Sequence, residues 1–180
     1  MTLKNDIFSF RPILEKDIKV LHQKIFSDKD VMRYTFFEKI FSFDETMEFV
    51  KAYFSKDHDN PLGLVGVYLN DSGTLIGFAG ILEFEYKNAK EYEFGFVLGR
   101  EFWGKGYATK IGKAQIDFAF KDMGLKRIYA LINPKNKASK RVVAKLGMKH
   151  TDNITVKNRG KREVYKIARR DYVYHETMAR

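Results

Sequence analysis

Two glycines that flank a lysine constrain this chain more than any other feature. Residues 92–98 have the apolar and aromatic composition of a half-buried strand, and after Gly104-Lys105-Gly106 the sequence predicts a helix that continues to about Met123. The first N–H groups of a helix lack partners within it and carry partial positive charge, so they attract anions. The glycines leave room for an anion, and Lys105 adds a full positive charge. The sequence therefore predicts a pyrophosphate-bearing ligand at this turn.

Two known nucleotide-binding sequence patterns do not match the residues of this turn. The residues from Gly99 to Gly106 match the P-loop except at the last position, where Gly106 replaces the Ser or Thr that holds magnesium. The dinucleotide-binding fingerprint fails because Thr109 stands where its third glycine or alanine belongs. A glycine-rich connector without a ligand stays an alternative as long as the turn is considered alone.

Composition restricts the class of protein. The chain has 180 residues, of which 44% are hydrophobic and 31% charged, which indicates one globular domain over residues 1–180. No apolar run reaches the roughly 18 residues of a membrane span, and the N-terminus is too polar for a secretory signal, so we expect a cytoplasmic protein. The absence of cysteine excludes disulfides, thiolate zinc sites and cysteine nucleophiles, and the four histidines show no ligand spacing, so we expect no metal.

The formal net charge of +10 allows four interpretations. The charge could serve nucleic acid, an acidic protein partner or a polyanionic cofactor, or it could be a generally basic surface. Lysine and arginine become more frequent after Gly104, especially at 135–149 and 157–170, which favours at least one anion site. The basic run at 157–170 could guide an acidic target, or it could be the solvated side of a hairpin.

Hydrophobic periodicity and turn residues predict alternating strands and helices. Strands are predicted at 8–13, 62–69, 75–82, 92–98, 127–132, 148–156 and 164–168. Helices are predicted at 15–27, from Ser42 or Asp44, from the glycine turn to 123, and from Asn136 or Ser139 to Gly147, with an irregular segment at 28–35 and a polar turn at 85–90. This order is typical of an α/β domain with a mixed sheet.

Four segments between residues 91 and 148 carry a resemblance to a known family. They are Glu93-Phe-Gly-Phe-Val-Leu98, Trp103-Gly-Lys-Gly-Tyr-Ala-Thr109, Asn133-Pro-Lys-Asn-Lys-Ala-Ser139 and Lys145-Leu-Gly-Met148, and together they resemble the GCN5-related N-acetyltransferase (GNAT) superfamily. The likeness is closest to the ribosomal-protein N-terminal acetyltransferases, which carry Trp where the general pattern has Gln or Arg. The resemblance implies an α/β (α+β) domain whose mixed, mostly antiparallel sheet is splayed between the strands at 92–98 and 127–132 and flanked by helices.

The resemblance also implies acetyl coenzyme A (acetyl-CoA) as co-substrate. Residues 104–109 are expected to wrap its pyrophosphate, and backbone groups of the strand before them are expected to bind the pantetheine arm. Lys135, Lys137 and Lys140 could meet the outer phosphates or form a solvated basic face. The residues expected to contact the co-substrate are Phe96, Val97, Leu98, Trp103, Gly104, Lys105, Gly106, Tyr107, Ala108, Thr109, Asn133 and Asn136.

Acetylation of an amine needs a base, because a protonated amine has no lone pair with which to attack. Glu93 stands where the resembling enzymes place a glutamate, although it could be an ordinary strand residue, and Glu91 and Glu83 are alternatives. Gly95 is either a packing accommodation or a bulge that separates two strands and frees N–H groups for the thioester carbonyl. Ser139 is either a helix cap or, by resemblance, the acid that protonates the leaving thiolate.

These features together predict an N-acetyltransferase that moves acetyl from acetyl-CoA directly to a primary amine. The acceptor expected from the resemblance is the N-terminal α-amine of a ribosomal or other protein. A small amine such as an amino sugar, polyamine or antibiotic stays an alternative, as does a non-catalytic acyl-CoA-binding or ribosome-associated module. We expect no direct contact with nucleic acid or membrane, and a monomer or homodimer.

Overall fold

The computed structural model of the chain describes residues 6–35, 37–56 and 62–172. Its strands are β1 (Phe8–Arg11), β2 (Gly63–Leu69), β3 (Leu75–Tyr86), β4 (Ala89–Leu98), β5 (Arg127–Ile132), β6 (Lys149–Val156) and β7 (Gly160–Ala168). Its α-helices are α1 (Glu15–Leu21), α2 (Lys29–Met32), α3 (Phe43–Tyr53), α4 (Tyr107–Lys121) and α5 (Lys137–Lys145). A π-helical turn (His22–Phe26) continues α1, and a 3₁₀ turn (Arg100–Phe102) precedes α4.

The strands form one sheet in the order β1-β2-β3-β4-β5-β7-β6, and the expected mixed, mostly antiparallel sheet is confirmed. Every neighbouring pair is antiparallel except β4 and β5, which the crossover helix α4 connects in parallel. Among the described residues, β4 and β5 pair only at Glu93 and Tyr129. The sheet is therefore splayed beyond this point, as expected.

The splay has a different cause from the bulge that Gly95 suggested. The β3–β4 ladder runs without a register shift, with Gly95 opposite Gly80, so the predicted bulge is wrong for this pairing. Each of the two central strands instead follows its outer neighbour, since β4 pairs with β3 along its length and β5 pairs with β7 along its length. Adjacent strands twist relative to each other, so two strands held by opposite neighbours diverge.

The β3–β4 hairpin is longer than the sequence suggested. Residues 85–90 were expected to form a polar turn, but β3 continues to Tyr86 and only Lys87 and Asn88 form the turn. Both turn residues have positive φ, 53° and 59°, as a tight two-residue hairpin requires. Charged residues near the end of the hairpin therefore belong to strands.

Two predicted helical features also differ in detail. The helix expected over 15–27 changes from α to π geometry at His22. The segment 28–35, expected to be irregular, contains the short helix α2, because the Asp28 carboxylate accepts hydrogen bonds from the N–H groups of Asp30 and Val31 at 2.9 and 3.3 Å. The second predicted helix begins as expected, with Ser42 and Glu45 forming a capping box before α3.

The helices cover both faces of the sheet and place α4 and α5 side by side. On one face, aromatic side chains from the first hundred residues stack on one another, and the ring centroids of Phe26 and Phe78 lie 5.5 Å apart. On the other face, Ile116 and Phe120 of α4 pack over β4, β5 and β7. Gly112 permits the close approach of α5, because a Cβ there would lie 2.6 Å from Leu146 Cδ1. Within the described segments, no helix is long and apolar enough to cross a membrane.

Candidate active site

The glycine turn lies between β4 and α4 and leaves the N-terminus of α4 open. Gly104 and Gly106 have φ values of 75° and 76°, a region that favours glycine, and a Cβ at either position would meet no atom within 4 Å. Gly106 is the N-cap of α4, no side chain caps the helix there, and its first turn contains no acidic residue. The first N–H groups of α4 therefore face open space, and this geometry fits a pyrophosphate.

Aromatic side chains fix this turn to the strands. The indole Nε1 of Trp103 donates to the carbonyl oxygen of Leu98 at 2.9 Å, although the residue is 47% exposed. The Tyr107 ring packs edge-on against Phe8 with centroids 5.3 Å apart. Trp103 and Tyr107 therefore hold the turn in place through their rings. Ala108 and Thr109 are partly buried in the same first turn.

Beyond Glu93, the edge of β4 that faces β5 carries backbone groups that do not pair with β5 in the described residues, although the Leu98 carbonyl oxygen accepts from the Trp103 indole. Gly99 N donates to Ile76 O at 3.0 Å, so the backbone of Gly99 points toward β3. In an antiparallel pair such residues alternate with residues whose backbone points away from the partner strand, and Leu98, which lies opposite Gly77, is of the second kind. The backbone groups of Leu98 and Phe96 consequently point toward the gap. Val97 differs from its neighbours, because its backbone groups point toward β3 and its side chain is buried in the core. A pantetheine arm in the gap would meet Phe96 and Leu98 rather than the backbone of Val97.

A cleft of about 110 Å³ opens where β4 and β5 separate. It brings together residues that lie far apart in the sequence. Its lining includes the predicted residues Glu93, Phe96, Val97, Asn133, Asn136 and Ser139, with Tyr34, Thr35, Arg159 and Arg162 from other parts of the chain. Residues 103–109 do not line this cleft and lie at the start of α4.

Glu93 stands at the point where β4 and β5 still pair, and its side chain is only 9% exposed. Arg159 holds both carboxylate oxygens, with Nη1 at 2.5 Å from Oε1 and Nη2 at 3.4 Å from Oε2. Arg159 belongs to the β6–β7 turn, which is shaped by positive φ at Asn158 and Gly160. A buried carboxylate at the rim of the cleft has the position that a base for the acceptor amine requires.

The alternative carboxylates lie elsewhere. Glu91, two residues earlier on the same face of β4, pairs with Arg127 and lines a separate cavity beside Tyr86 and Tyr129. Glu83 pairs with Lys90 at 2.7 Å and does not line the cleft. Of the three candidate bases, the structure brings only Glu93 to the cleft.

A second ion pair, between buried Arg162 and exposed Glu38, lies beside the cleft. Arg162 is 2% exposed, and its Nη1 donates to Glu38 Oε1 at 2.9 Å and to the Lys161 carbonyl oxygen at 2.8 Å. Glu38 Oε1 also accepts from Asn133 Nδ2 at 2.6 Å. Burial lowers the pKa of Arg162 and the charge of Arg159 lowers it further, against the opposing effects of Glu38 and Glu93. These four charged groups therefore form one cluster, and the guanidinium of Arg162 stays protonated.

The segment before α5 is shaped by its own side chains. Asn136 is the N-cap of α5, because its Oδ1 accepts from Ser139 N at 3.0 Å. Asn133 Oδ1 accepts from Lys135 N at 2.8 Å. Lys140 pairs with Glu163 at 3.1 Å, which favours a structural role over contact with a phosphate. Among the described residues, the Ser139 hydroxyl has no hydrogen-bond partner, which leaves it available to the cleft that it lines.

The sequence did not single out Arg159, Arg162 or Glu38 as site residues. The basic run at 157–170 contains both arginines and could guide an acidic target, and Asn158 and Gly160 mark a turn, but neither signal shows which strand the turn faces. No cluster of three or more His, Cys, Asp or Glu with metal-binding geometry occurs in the part of the chain that the structure describes.

Comparisons with known proteins agree with this geometry. Residues 8–149 match the family model described as "Acetyltransferase (GNAT) domain". The chain is 36% identical over 123 residues to the uncharacterized N-acetyltransferase YnaD of Bacillus subtilis, covering 68% of each chain. It is 27% identical over 137 residues to the spermidine N(1)-acetyltransferase of Escherichia coli, covering 76% of this chain and 70% of the relative.

Solved structures share the architecture. A GNAT-family acetyltransferase from Bacillus anthracis superimposes with a TM-score of 0.75 at 29% identity, covering 93% of this chain and 98% of the other. The fold also matches spermidine N-acetyltransferase from Vibrio cholerae in complex with CoA and spermine (TM-score 0.73, 22% identity, 94% and 99% covered). A third match is AAC(6')-Ib in complex with ribostamycin and coenzyme A (TM-score 0.72, 18% identity, 93% and 97% covered).

Proposed function

Because the chain belongs to the acetyltransferase (GNAT) family and is an acetyl-CoA-dependent N-acetyltransferase, we propose that its acceptor is a small molecule with a primary amine. Support comes from the names of proteins that it resembles, which act on spermidine or bind spermine or ribostamycin. None of the relatives described above is named for a protein substrate. The ribosomal-protein N-terminus expected from the sequence is therefore the weaker of the two acceptors.

The open N-terminus of α4 and the free edge of β4 would hold the co-substrate. Residues 104–109 offer N–H groups and Lys105 to the pyrophosphate, while the backbone of Phe96 and Leu98 faces the gap in which an extended arm would lie. The bound co-substrate supplies an acetyl thioester. Its acetyl group needs to reach the cleft, where Glu93 and Ser139 provide polar groups.

The observation that carries the mechanism is the buried carboxylate of Glu93 at the rim of the cleft. In the transfer, the amine nitrogen forms a bond to the acetyl carbon and the carbon–sulfur bond breaks, so the amine loses a proton and the sulfur gains one. Glu93 accepts the proton of the amine, directly or through water. Ser139, whose hydroxyl is free among the described residues, donates a proton to the sulfur.

The test is free-thiol release from acetyl-CoA with two panels of acceptors. One panel contains polyamines, amino sugars, aminoglycosides and amino acids, and the other contains peptides with varied free N-termini. Selective turnover on the small amines is the expected result. Selective turnover on peptides would overturn the proposed acceptor. Thiol release with neither panel, while acetyl-CoA binds in calorimetry, would indicate the non-catalytic binding module.

A further inference from the structure

The cleft contains two arginines where a site for a polycation would need free carboxylates. Its lining includes Arg159 and Arg162, and the two carboxylates within reach of them, Glu93 and Glu38, are each already paired with one of these guanidinium groups. A polyamine bound beside Glu93 would bring further positive charge next to both arginines, and like charges repel strongly in a buried site.

Arg159 has donor capacity that the protein does not use. A guanidinium carries five N–H donors in a planar fork. Nη1 and Nη2 of Arg159 face Glu93, and the second contact is long, at 3.4 Å. Its Nε is buried and has no hydrogen-bond partner among the described residues. The Arg159 side chain is 22% exposed and lines the cleft, so a carboxylate there would meet the N–H donors of Nη1 and Nη2 that Glu93 does not use, and charge-assisted hydrogen bonds would bind it favourably.

We propose that Arg159 binds a carboxylate of the acceptor, so that the preferred acceptor is an amino acid with its amine and carboxylate close together. Arg162 reinforces the subsite with a second positive charge. This inference rests on the proposed function and narrows its substrate class. Glu93 and Arg159 are in contact, with Oε1 and Nη1 2.5 Å apart. An amine that binds Glu93 and a carboxylate that binds Arg159 would therefore lie close together, at neighbouring positions of one small molecule.

The same arrangement couples recognition to proton transfer. As long as Arg159 holds both oxygens of Glu93, the carboxylate is engaged in an ion pair. A carboxylate on the acceptor competes for that guanidinium and leaves an oxygen of Glu93 to accept the proton of the amine. Acceptors without an anionic group do not compete, so they meet a Glu93 that is still bound to Arg159.

The test uses matched sets of acceptors that differ in one group. Each set contains an L-amino acid, its carboxamide and the amine that lacks the carboxyl carbon, with the side chains of threonine, methionine, phenylalanine and glutamate, and spermidine is added as a polycation. For at least one side chain, we expect kcat/KM for the amino acid to exceed that for the carboxamide by about tenfold or more, since a charge-assisted hydrogen bond replaces a neutral one. The carboxamide has the less basic amine, so this preference would not arise from amine protonation.

Arg159→Gln and Arg127→Gln form the decisive pair of variants. Both remove the arginine partner of a buried glutamate on the same face of β4, but Arg127 lines a separate cavity. We expect Arg159→Gln to reduce the preference for the carboxylate in kcat/KM to about one, and Arg127→Gln to retain it. The ratio between two acceptors of one variant is independent of how much folded enzyme is present, so a loss of stability does not mimic this result.

Three outcomes would overturn the inference and leave the proposed function standing. They are equal kcat/KM for amino acids and their carboxamides, a higher kcat/KM for spermidine than for every amino acid, and an Arg159→Gln enzyme that keeps the carboxylate preference. Absence of thiol release with every small amine would instead overturn the proposed function together with the inference.

Discussion

Glu93 and Glu91 are two residues apart on one face of β4, and both are buried carboxylates held by an arginine. They differ in the space that they border, since only Glu93 lines the cleft between the splayed strands. Position relative to the gap, rather than burial or pairing, therefore separates the candidate base from a structural ion pair.

We expect Glu93→Gln to lower kcat by about 10²- to 10⁴-fold, because a general base contributes that much to proton transfer. The affinity for acetyl-CoA, measured by calorimetry, should stay near that of the wild type, since Glu93 does not belong to the glycine turn. Glu91→Gln is the control and should keep its turnover. A Glu93→Gln enzyme with unchanged kcat would show that another group removes the proton.

Only part of this site could be predicted from the sequence. Glu93 could be proposed because its neighbours in the chain carry the resemblance, but its partner Arg159 lies 66 residues later. Their contact depends on β5 lying between β4 and β7, and on a turn whose direction is set by positive φ at Asn158 and Gly160. No local pattern contains that three-dimensional relation.

In the turn before α4, Gly106 adopts a positive φ that favours glycine and also lies at the predicted pyrophosphate site. Gly106 has a φ of 76° and Gly124, which follows the other end of α4, has a φ of 67°, and a Cβ at either position would meet open space. The two glycines therefore impose the same conformational requirement at opposite ends of one helix. Only Gly106 lies where a pyrophosphate is expected.

We expect Gly106→Ala and Gly124→Ala each to lower the free energy of unfolding by about 1 kcal/mol, because alanine is strained at positive φ. Urea denaturation measures this change. Only Gly106→Ala should also weaken acetyl-CoA binding, because its Cβ projects beside the uncapped N–H groups of α4. Equal acetyl-CoA affinity in the two variants would contradict the anion site.

The contribution of the contact between α5 and β7 to stability depends on pH. Although burial raises the pKa of Glu163, hydrogen bonds from Tyr165 and Lys140 outweigh it and the pKa is lower than usual. A carboxyl whose pKa is lowered by folding contributes stability above its unfolded value of about 4.3, and this contribution disappears as the pH falls through the folded value.

Glu163→Gln should therefore be less stable than the wild type at pH 7, and the difference in unfolding free energy should shrink as the pH is lowered below about 4. Urea denaturation of both proteins between pH 3 and pH 7 measures it. A difference that stays constant over this range would mean that the charge of Glu163 does not contribute to the α5–β7 contact.

Local chemistry also decided which elements could be predicted. The start of α4 and the cap of α3 follow from residues next to each other in the chain, and both are confirmed. The strands of the β3–β4 hairpin are longer than the sequence predicts. Charged residues such as Glu85 indicated a turn, although their side chains point outward from a strand. The splay was expected, but from a bulge at Gly95 that the ladder with β3 does not contain.

At the scale of the whole molecule, the sheet consists of two parts, β1–β4 and β5–β7, which pair at one position among the described residues. Binding in the gap between them would join the two parts. We expect CoA at 100 times its Kd to stabilise the protein by about 2.7 kcal/mol, as mass action requires for a ligand that binds only the folded state.

Hydrogen exchange should locate this stabilisation. CoA is expected to slow exchange at the amides of Phe96 and Leu98, whose N–H groups face the gap, and to change the amide of Val97 much less, since it is directed toward β3. Uniform protection of all three amides would indicate global stabilisation without contact along β4.

The two substrates of this enzyme would meet two kinds of surface. The donor would lie against main-chain groups, along β4 and at the first turn of α4, whereas the acceptor would lie among side chains from the β6–β7 turn and the segments before α3 and α5. A main-chain surface survives most substitutions, because it depends on the path of the backbone and on two glycines. Side chains on turns can be exchanged singly. Acceptor choice can thus diversify by point mutation while the donor, and with it the reaction, is inherited unchanged.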